Sequence, residues 1–301
     1  MAWGLDIGSE MLRLCRARLQ RGGLRLDRHA ELNVPAGLIR PSLKEANVVD
    51  PPTMSRMLRA LCESAGYAGW VRVALPDAAF TLRTLSVDEL PQNPSEARRF
   101  LGWQARELLP FPAEEARIDF LPPLPGADGR LRVVCLLARD RVLAEYEQLL
   151  ADAGLRPAAL DARSIALAQA ASSVLMDRAT SGLLAVDEAQ TTLLIIQAGR
   201  PRFWRILPAG KHAWANRERS RLLREVDNSI AFCCESEGVG PPEGLTVSGL
   251  DAFTDEVVSA LGEWLDLPVR GLELRATFRS DEQPEDLNTW GPAIGAAIRS
   301  C

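Results

Sequence analysis

The chain has 301 residues, 47% of them apolar and 25% charged, with a formal net charge of −5. That length is enough for two cores, and the acidic balance excludes a protein whose footprint on nucleic acid has to be basic. No run approaches the roughly 18–20 apolar residues of a membrane helix, and charges within residues 1–30 exclude the apolar core of a signal peptide, so a cytoplasmic protein without membrane insertion is expected.

Trp3, Leu5 and Ile7 alternate with Gly4, Asp6 and Gly8, the period of a half-buried strand, and the strand ends in an Asp-Ile-Gly-Ser turn. Alternation resumes at Leu12 and Leu14 with the small Cys15 and Ala17, and Gly22-Gly23 supplies a hairpin turn into Leu24 and Leu26. The first unit is therefore three antiparallel strands with an aspartate and a glycine at the first turn. Asp50-Pro51-Pro52 is a helix start, followed by a stripe of Met54, Met57, Leu58, Leu61 and Cys62 that stops at Gly66. Residues 70–75 and 80–85 are two further strands. A helix opens at Pro94 and carries Phe100, Leu101, Trp103, Leu108 and Leu109 up to Pro110. Strands at 118–121 and 131–138 and a helix over 142–153 complete a small α/β insert, and a short strand at 158–160 leads through Asp161 into a helix over 165–176.

The opening plan then returns. Residues 182–187 are an apolar strand ending in Asp187, with a turn at Glu188-Ala189-Gln190, a second strand over 191–198, a turn at Gly199-Arg200 and a third strand over 203–207. A duplicated fold with a cleft between its halves follows, each first turn aiming an aspartate into the cleft. A helix over 217–234, a strand into Ser248-Gly249, a helix over 251–265, an extended stretch at 267–274, a polar loop at 279–287 and an Ala/Gly-rich helix over 290–299 finish the chain. Cys15, Cys62, Cys135, Cys233, Cys234 and Cys301 have no metal-ligand or redox spacing, with only His29 and His212 to assist, and are expected to be buried thiols.

Several of these stretches resemble the actin-like fold and, within it, the PilM family of type IV pilus assembly. Gly4-Leu5-Asp6-Ile7-Gly8-Ser9 is similar to the family's opening phosphate turn, and Ala74-Leu75-Pro76-Asp77 with Thr81-Leu82-Arg83-Thr84 to the strands leading into its inserted subdomain. Trp103-Gln-Ala-Arg-Glu-Leu-Leu-Pro-Phe-Pro112, followed by Asp119-Phe120, is similar to its most distinctive stretch, and Gly154-Leu-Arg-Pro157 with Asp161-Ala-Arg-Ser-Ile-Ala-Leu167 to its connector region. An MshI-type short form, from a mannose-sensitive pilus system, is one version of the match.

The resemblance implies an α/β actin-like duplicated fold with ribonuclease H-like halves. It divides into a first half (1–85), an inserted α/β subdomain (86–154), a return and connector helix (155–180), and a second half (181–301) with a shortened insert. It also implies an ATP site: Asp6, Gly8 and Ser9 at the first phosphate turn, Arg13 at an early lysine position, and Asp161 at an acidic connector position. Asp187 would hold Mg²⁺ with Asp6 through water, and Ser248 and Gly249 would touch the adenosine. Departures are clear. Glu188 and Ala189 follow Asp187 where glycine is usual, Leu250, Asp251 and Ala252 follow Gly249, and the stretch after Gly210 is too short for the usual second-half insert.

The expected function is a scaffold with a degenerate nucleotide cleft and no ATP turnover. It is expected to be recruited to the inner face of the inner membrane by the cytoplasmic N-terminal tail of a PilN-like bitopic protein, alongside other pilus assembly proteins. Trp103, Leu108, Leu109 and Phe111 are the candidate tail-binding residues. The alternative is an ATP-binding switch or weak ATPase that gates the same interaction. A sugar kinase lacks a recognisable general base, and the shortened insert argues against a filament former.

Overall fold

The computed structural model describes residues 2–20, 23–126, 128–277, 284 and 286–299. Strands β1 (Ala2–Ile7), β2 (Met11–Gln20) and β3 (Gly23–Asn33) form the antiparallel ribbon that the alternation dictates. Gln20 pairs with Gly23, whose φ of 135° suits glycine, while Gly22 lies outside the described residues. Leu14 and Cys15 are both buried because the ribbon is covered on both faces.

Helix α1 (Pro51–Ala65) begins at Asp50, whose carboxylate accepts the Thr53 N–H, and ends at the left-handed Gly66. It buries Met54, Leu58 and Leu61. Strand β4 (Val71–Leu75) runs parallel to β1. The chain then leaves this sheet for β5 (Phe80–Val87), α2 (Pro94–Gln104), β6 (Ala116–Phe120), β7 (Leu124–Pro125) and β8 (Leu131–Arg139). These strands make a small sheet in the order β5-β8-β6, with β7 also on β8. Helix α3 (Asp140–Asp152) brings the chain back to β9 (Pro157–Ala162), which closes a first sheet of order β3-β2-β1-β4-β9.

Helices α4 (Arg163–Ala170) and α5 (Ser172–Leu175) connect to the second unit. This comprises β10 (Thr180–Val186), β11 (Thr191–Gln197), β12 (Arg200–Leu207), α6 (Lys211–Trp214), α7 (Arg219–Glu237), β13 (Leu245–Ser248), α8 (Thr254–Leu265) and β14 (Val269–Gly271). Its sheet has the order β12-β11-β10-β13-β14 and so repeats the first sheet strand for strand. Helix α9 (Gly291–Ile298) crosses back onto β1, β2 and β4.

Differences from the expected elements are local. Helix α2 stops at Gln104 and a 3₁₀ turn (Arg106–Leu108) follows, so Leu108 and Leu109 lie beyond it. The helix expected over 165–176 starts at Arg163 and breaks in two at Ala171. The extended stretch at 267–274 reduces to β14, because Leu274 already begins a 3₁₀ turn. Strand β5 pairs with β8 alone, so a boundary drawn at residue 85 falls inside a strand of the small sheet. Residues 279–283 and 285 of the expected loop, and Cys301, lie outside the described residues. Cys15, Cys135 and Cys233 are buried, and Cys62 and Cys234 are half-buried. Among the described residues no helix is long and apolar enough to cross a membrane.

The main core lies on both faces of the first sheet and takes in Leu183, Leu194, Ile196 and Trp204 from the second, whose other face packs on α7 and α8. Between the sheets, α4 and α9 pack backbone to backbone. A Cβ at Gly4 would be driven into the Ala293 carbonyl, and one at Gly295 into the Ala166 carbonyl. Neither carbonyl belongs to a flexible side chain, so the strain cannot be relieved locally. Gly295→Ala is expected to cost about 3 kcal/mol in urea unfolding. Gly262→Ala, on a helix with room for the methyl, is expected to be neutral or to stabilise by up to about 1 kcal/mol.

Candidate functional site: a cleft bridged by an arginine

The two hairpins bring their first turns to the same end of the molecule. At the first, the Gly8 N–H donates to the Met11 carbonyl at 3.0 Å; at the second, the Asp187 N–H donates to the Gln190 carbonyl at 2.8 Å. The strand registers match too, Ile7 pairing with Leu12 and Val186 with Thr191. Asp187 therefore occupies the place of Gly8, and the counterpart of Asp6 is Ala185. The duplicated aspartate read from the sequence is displaced by two residues along the strand, which keeps it on the same face but moves it into the turn.

A cavity of about 290 Å³ lies between the turns, lined among others by Gly8, Ser9, Arg13, Asp187, Lys211 and Gly249. Its floor is an ion-pair bridge that the sequence reading did not anticipate. Arg163, the first residue of α4, donates Nε to Asp6 Oδ1 at 2.7 Å and Nη2 to Asp6 Oδ2 at 3.0 Å; its Nη1 donates to Asp187 Oδ2 at 2.7 Å. Asp6 is fully buried beneath the guanidinium. Burial pushes its carboxyl upward while Arg163 pulls it back, and the two-pronged geometry is that of a carboxylate. Burial also works against ionisation of Asp187, but Arg163, the Glu188 N–H and Lys211 outweigh it and hold Asp187 below the usual range.

Next to Arg163, the Ser164 N–H donates to Asp77 Oδ1 at 2.9 Å, and Thr192 Oγ1 donates to Asp77 Oδ2 at 2.7 Å. Asp77 thus caps α4 from a distant turn and also reaches the second sheet; its burial pushes its carboxyl up. Asp77, from the turn after β4, and not Asp161 is the acid that holds the start of the connector helix and faces the cleft. Asp161 Oδ2 accepts from Arg299 at 2.5 Å and lines a separate cavity of about 260 Å³ with Phe120 and Arg200. Arg13 Nε donates to Glu31 at 3.1 Å. Gly249 has φ 91°, and a Cβ there would strike the Val186 carbonyl.

The charge of Glu188, beside that of Asp187, is answered locally. Lys211 Nζ lies 3.1 Å from Glu188 Oε1 and 2.6 Å from Asp251 Oδ2, and Gly210 lets the Lys211 segment lie against the Glu188 carbonyl. Mg·ATP does not fit this arrangement. Both Asp6 oxygens and one Asp187 oxygen are engaged by a guanidinium standing between them, so a hydrated cation could reach them only after Arg163 moved.

A second concavity, of about 800 Å³, lies beside the small sheet and is lined by β6, the α2 residues Arg98, Arg99 and Trp103, and by Leu143 and Leu160. Among the described residues the outer edge of β6 has no strand partner. Trp103 is 56% exposed, with the Arg106 guanidinium 4.3 Å from its ring centroid, and Leu108 is 49% exposed. Leu109 and Phe111 are buried in the core of the small sheet, so of the four expected contact residues only Trp103 and Leu108 are open to a partner. Leu109, the residue before Pro110, is extended as a following proline requires, and the chain then bends at Pro110 and Phe111, with Leu109 and Phe111 in the same small core.

Two sheets of the same five-strand order, facing each other across a cleft with an inserted small sheet in the first, define the actin-like fold class. The chain belongs to the PilM family: the family described as type IV pilus assembly protein PilM matches residues 4–214. Its fold is similar to that of the solved PilM-PilN type IV pilus biogenesis complex, at TM-score 0.81 and 22% identity over 98% of this chain and 96% of that one. More distant likenesses are the cytoplasmic domain of EpsL, an inner-membrane component of the type II secretion system of Vibrio cholerae (TM-score 0.53, 12% identity, 97% and 92% covered), and the ethanolamine utilization protein EutJ of Carboxydothermus hydrogenoformans (0.50, 11%, 99% and 89%). Among curated protein sequences none matches the chain.

Asp161 gives a test of the electrostatics. Burial raises its pKa from 3.8 to about 6 against the pull of Arg299. An acid raised on folding favours the fold fully below its unfolded pKa and loses that favour as pH climbs past the folded one, here across roughly pH 4 to 6. Asp161→Asn is therefore expected to be less destabilising at pH 7 than at pH 4 by about 3 kcal/mol, read from urea midpoints along a pH series.

Proposed function

We propose that the chain is a non-catalytic scaffold of type IV pilus or related pilus assembly, held at the inner face of the inner membrane by the cytoplasmic N-terminal tail of a PilN-like bitopic protein. The observation that carries this reading is the groove of about 800 Å³ along the unpaired edge of β6, with Trp103 exposed at its side. An extended tail adding to that edge would take affinity from backbone hydrogen bonds and specificity from the pockets between α2 and the sheet. Membership of the PilM family supports it, as does the likeness to a relative solved as a PilM-PilN complex. In this reading the segment from β5 through α3 works as the partner-binding unit and the two halves as its support.

The second reading is an ATP-binding switch that gates the tail. The Arg163 bridge across Asp6 and Asp187 favours the first, because the carboxylates a magnesium ion would need are already engaged by a guanidinium.

Fluorescence anisotropy with a labelled tail peptide of the PilN-like partner is the test. Trp103→Ala is expected to weaken binding about tenfold to thirtyfold, as loss of an aromatic anchor does, with Tm unchanged within about 2 °C. Millimolar Mg·ATP is expected to leave the wild-type Kd unchanged. Tail binding indifferent to Trp103→Ala would remove the groove from the proposal, and a Kd that moves severalfold with Mg·ATP would put the switch first.

A further inference from the structure

The carboxylates on either side of the cleft belong to different halves, and something positive has to hold them there. We propose that Arg163 is a built-in cation that takes the place of metal and nucleotide across the cleft, locking the two halves in one closed arrangement without any ligand. Four observations carry this. The guanidinium uses its whole fork, two N–H groups on Asp6 of the first sheet and one on Asp187 of the second turn. Asp6 is fully buried beneath it and has no access to solvent. A cation at the first turn of a helix opposes the helix dipole, so its place at the start of α4 is paid for by the two carboxylates and not by the helix. Asp77, bound to the neighbouring Ser164 N–H and to Thr192 Oγ1, fastens the same helix start to the second sheet a second time.

An arginine is suited to this in a way lysine is not. Its planar fork reaches two carboxylates at once, and it stays charged when buried. A buried, fully paired bridge of this kind adds little net stability but fixes one arrangement, since any alternative leaves charges unpaired. The lock makes a definite statement about ligands: Mg·ATP and Arg163 compete for the same two side chains, and in the wild-type chain Arg163 wins.

The test compares wild type, Asp187→Asn, Arg163→Lys and Arg163→Gln by hydrogen exchange of the two turns and by Tm with and without 5 mM MgCl₂ or Mg·ATP, no partner peptide being present. Asp187→Asn removes only the negative charge of the arm across the cleft, the amide oxygen staying an acceptor, and leaves Asp6 paired. Exchange at the amides of residues 8–11 and 187–190 is expected to rise about tenfold while the small sheet keeps its protection. Arg163→Lys is expected to behave similarly, because one ammonium cannot span both acids. Arg163→Gln leaves two facing carboxylates; it is expected to lower Tm by about 8 °C and to gain a magnesium-dependent recovery of about 5 °C that wild type lacks. Turns equally protected in Asp187→Asn and wild type would overturn the lock, as would wild type stabilised by Mg·ATP as strongly as Arg163→Gln. Because no readout involves the tail, the lock and the groove stand or fall separately.

Discussion

The close packing of α4 and α9 between the two sheets is the contact on which the other features rest. It is possible only because Gly4 on β1 and Gly295 on α9 have no side chain at the points where backbones touch. Side chains of ordinary size there would hold the layers several ångströms further apart, and α4 would no longer present its first residue between the turns. The position of Arg163 is thus a consequence of glycine in a strand and in a helix, Gly4 two residues before Asp6 and Gly295 far along the chain. Packing of this kind is rigid because protein interiors have no slack to absorb a displaced carbonyl.

On that frame the cleft is organised by charge. Its walls carry Glu10, Asp187, Glu188 and Asp251 against Arg13, Arg163 and Lys211, with Asp77 in the same lining and Asp6 beneath. The excess is acidic, and each cation on this list has an acid of its own, Arg13 on Glu31, Arg163 on Asp6 and Asp187, Lys211 on Glu188 and Asp251. A polyphosphate entering here would have to displace those pairs and would meet repulsion at close range. The glycine-poor second turn and the paired cations point the same way: the charges of the cleft are turned on one another.

Much of the architecture could be read from the chain. Alternation at Trp3, Leu5 and Ile7 and its return at 182–187 predicted both hairpins, because strand burial writes a period of two directly into the sequence. The methionine and leucine stripe of α1, with its Asp50 start and Gly66 stop, was equally legible. The site was less so. Asp187 was taken as the counterpart of Asp6, but a two-residue offset along a strand changes no alternation and leaves no trace in pattern. Asp161 is the acid that the connector motif offers, and Asp77 belongs to a different motif; which of the two faces the cleft depends on how β9 and the turn after β4 are oriented in three dimensions. Arg163 lies inside the connector motif, and a cation at a helix start, where the dipole disfavours it, was the available signal. Leu109 looked like a neighbour of Trp103 on one helix and Phe111 like its companion in the same stretch; the early end of α2 separates both from Trp103.

One feature of the small sheet bears on how such a chain changes. Strand β5 enters at Phe80 and β8 leaves at Arg139, and Phe80 pairs with Ala138. The segment's two ends therefore leave the body of the molecule side by side, through a single narrow neck. Closing so short a gap costs little chain entropy whatever lies between. The groove and its exposed tryptophan can then be lengthened, shortened or replaced on the far side of this segment, while its near side keeps the bonds that join Thr84 to the Arg202 carbonyl and Arg200 to the Pro122 carbonyl, which lets one body be refitted for partners of different sequence.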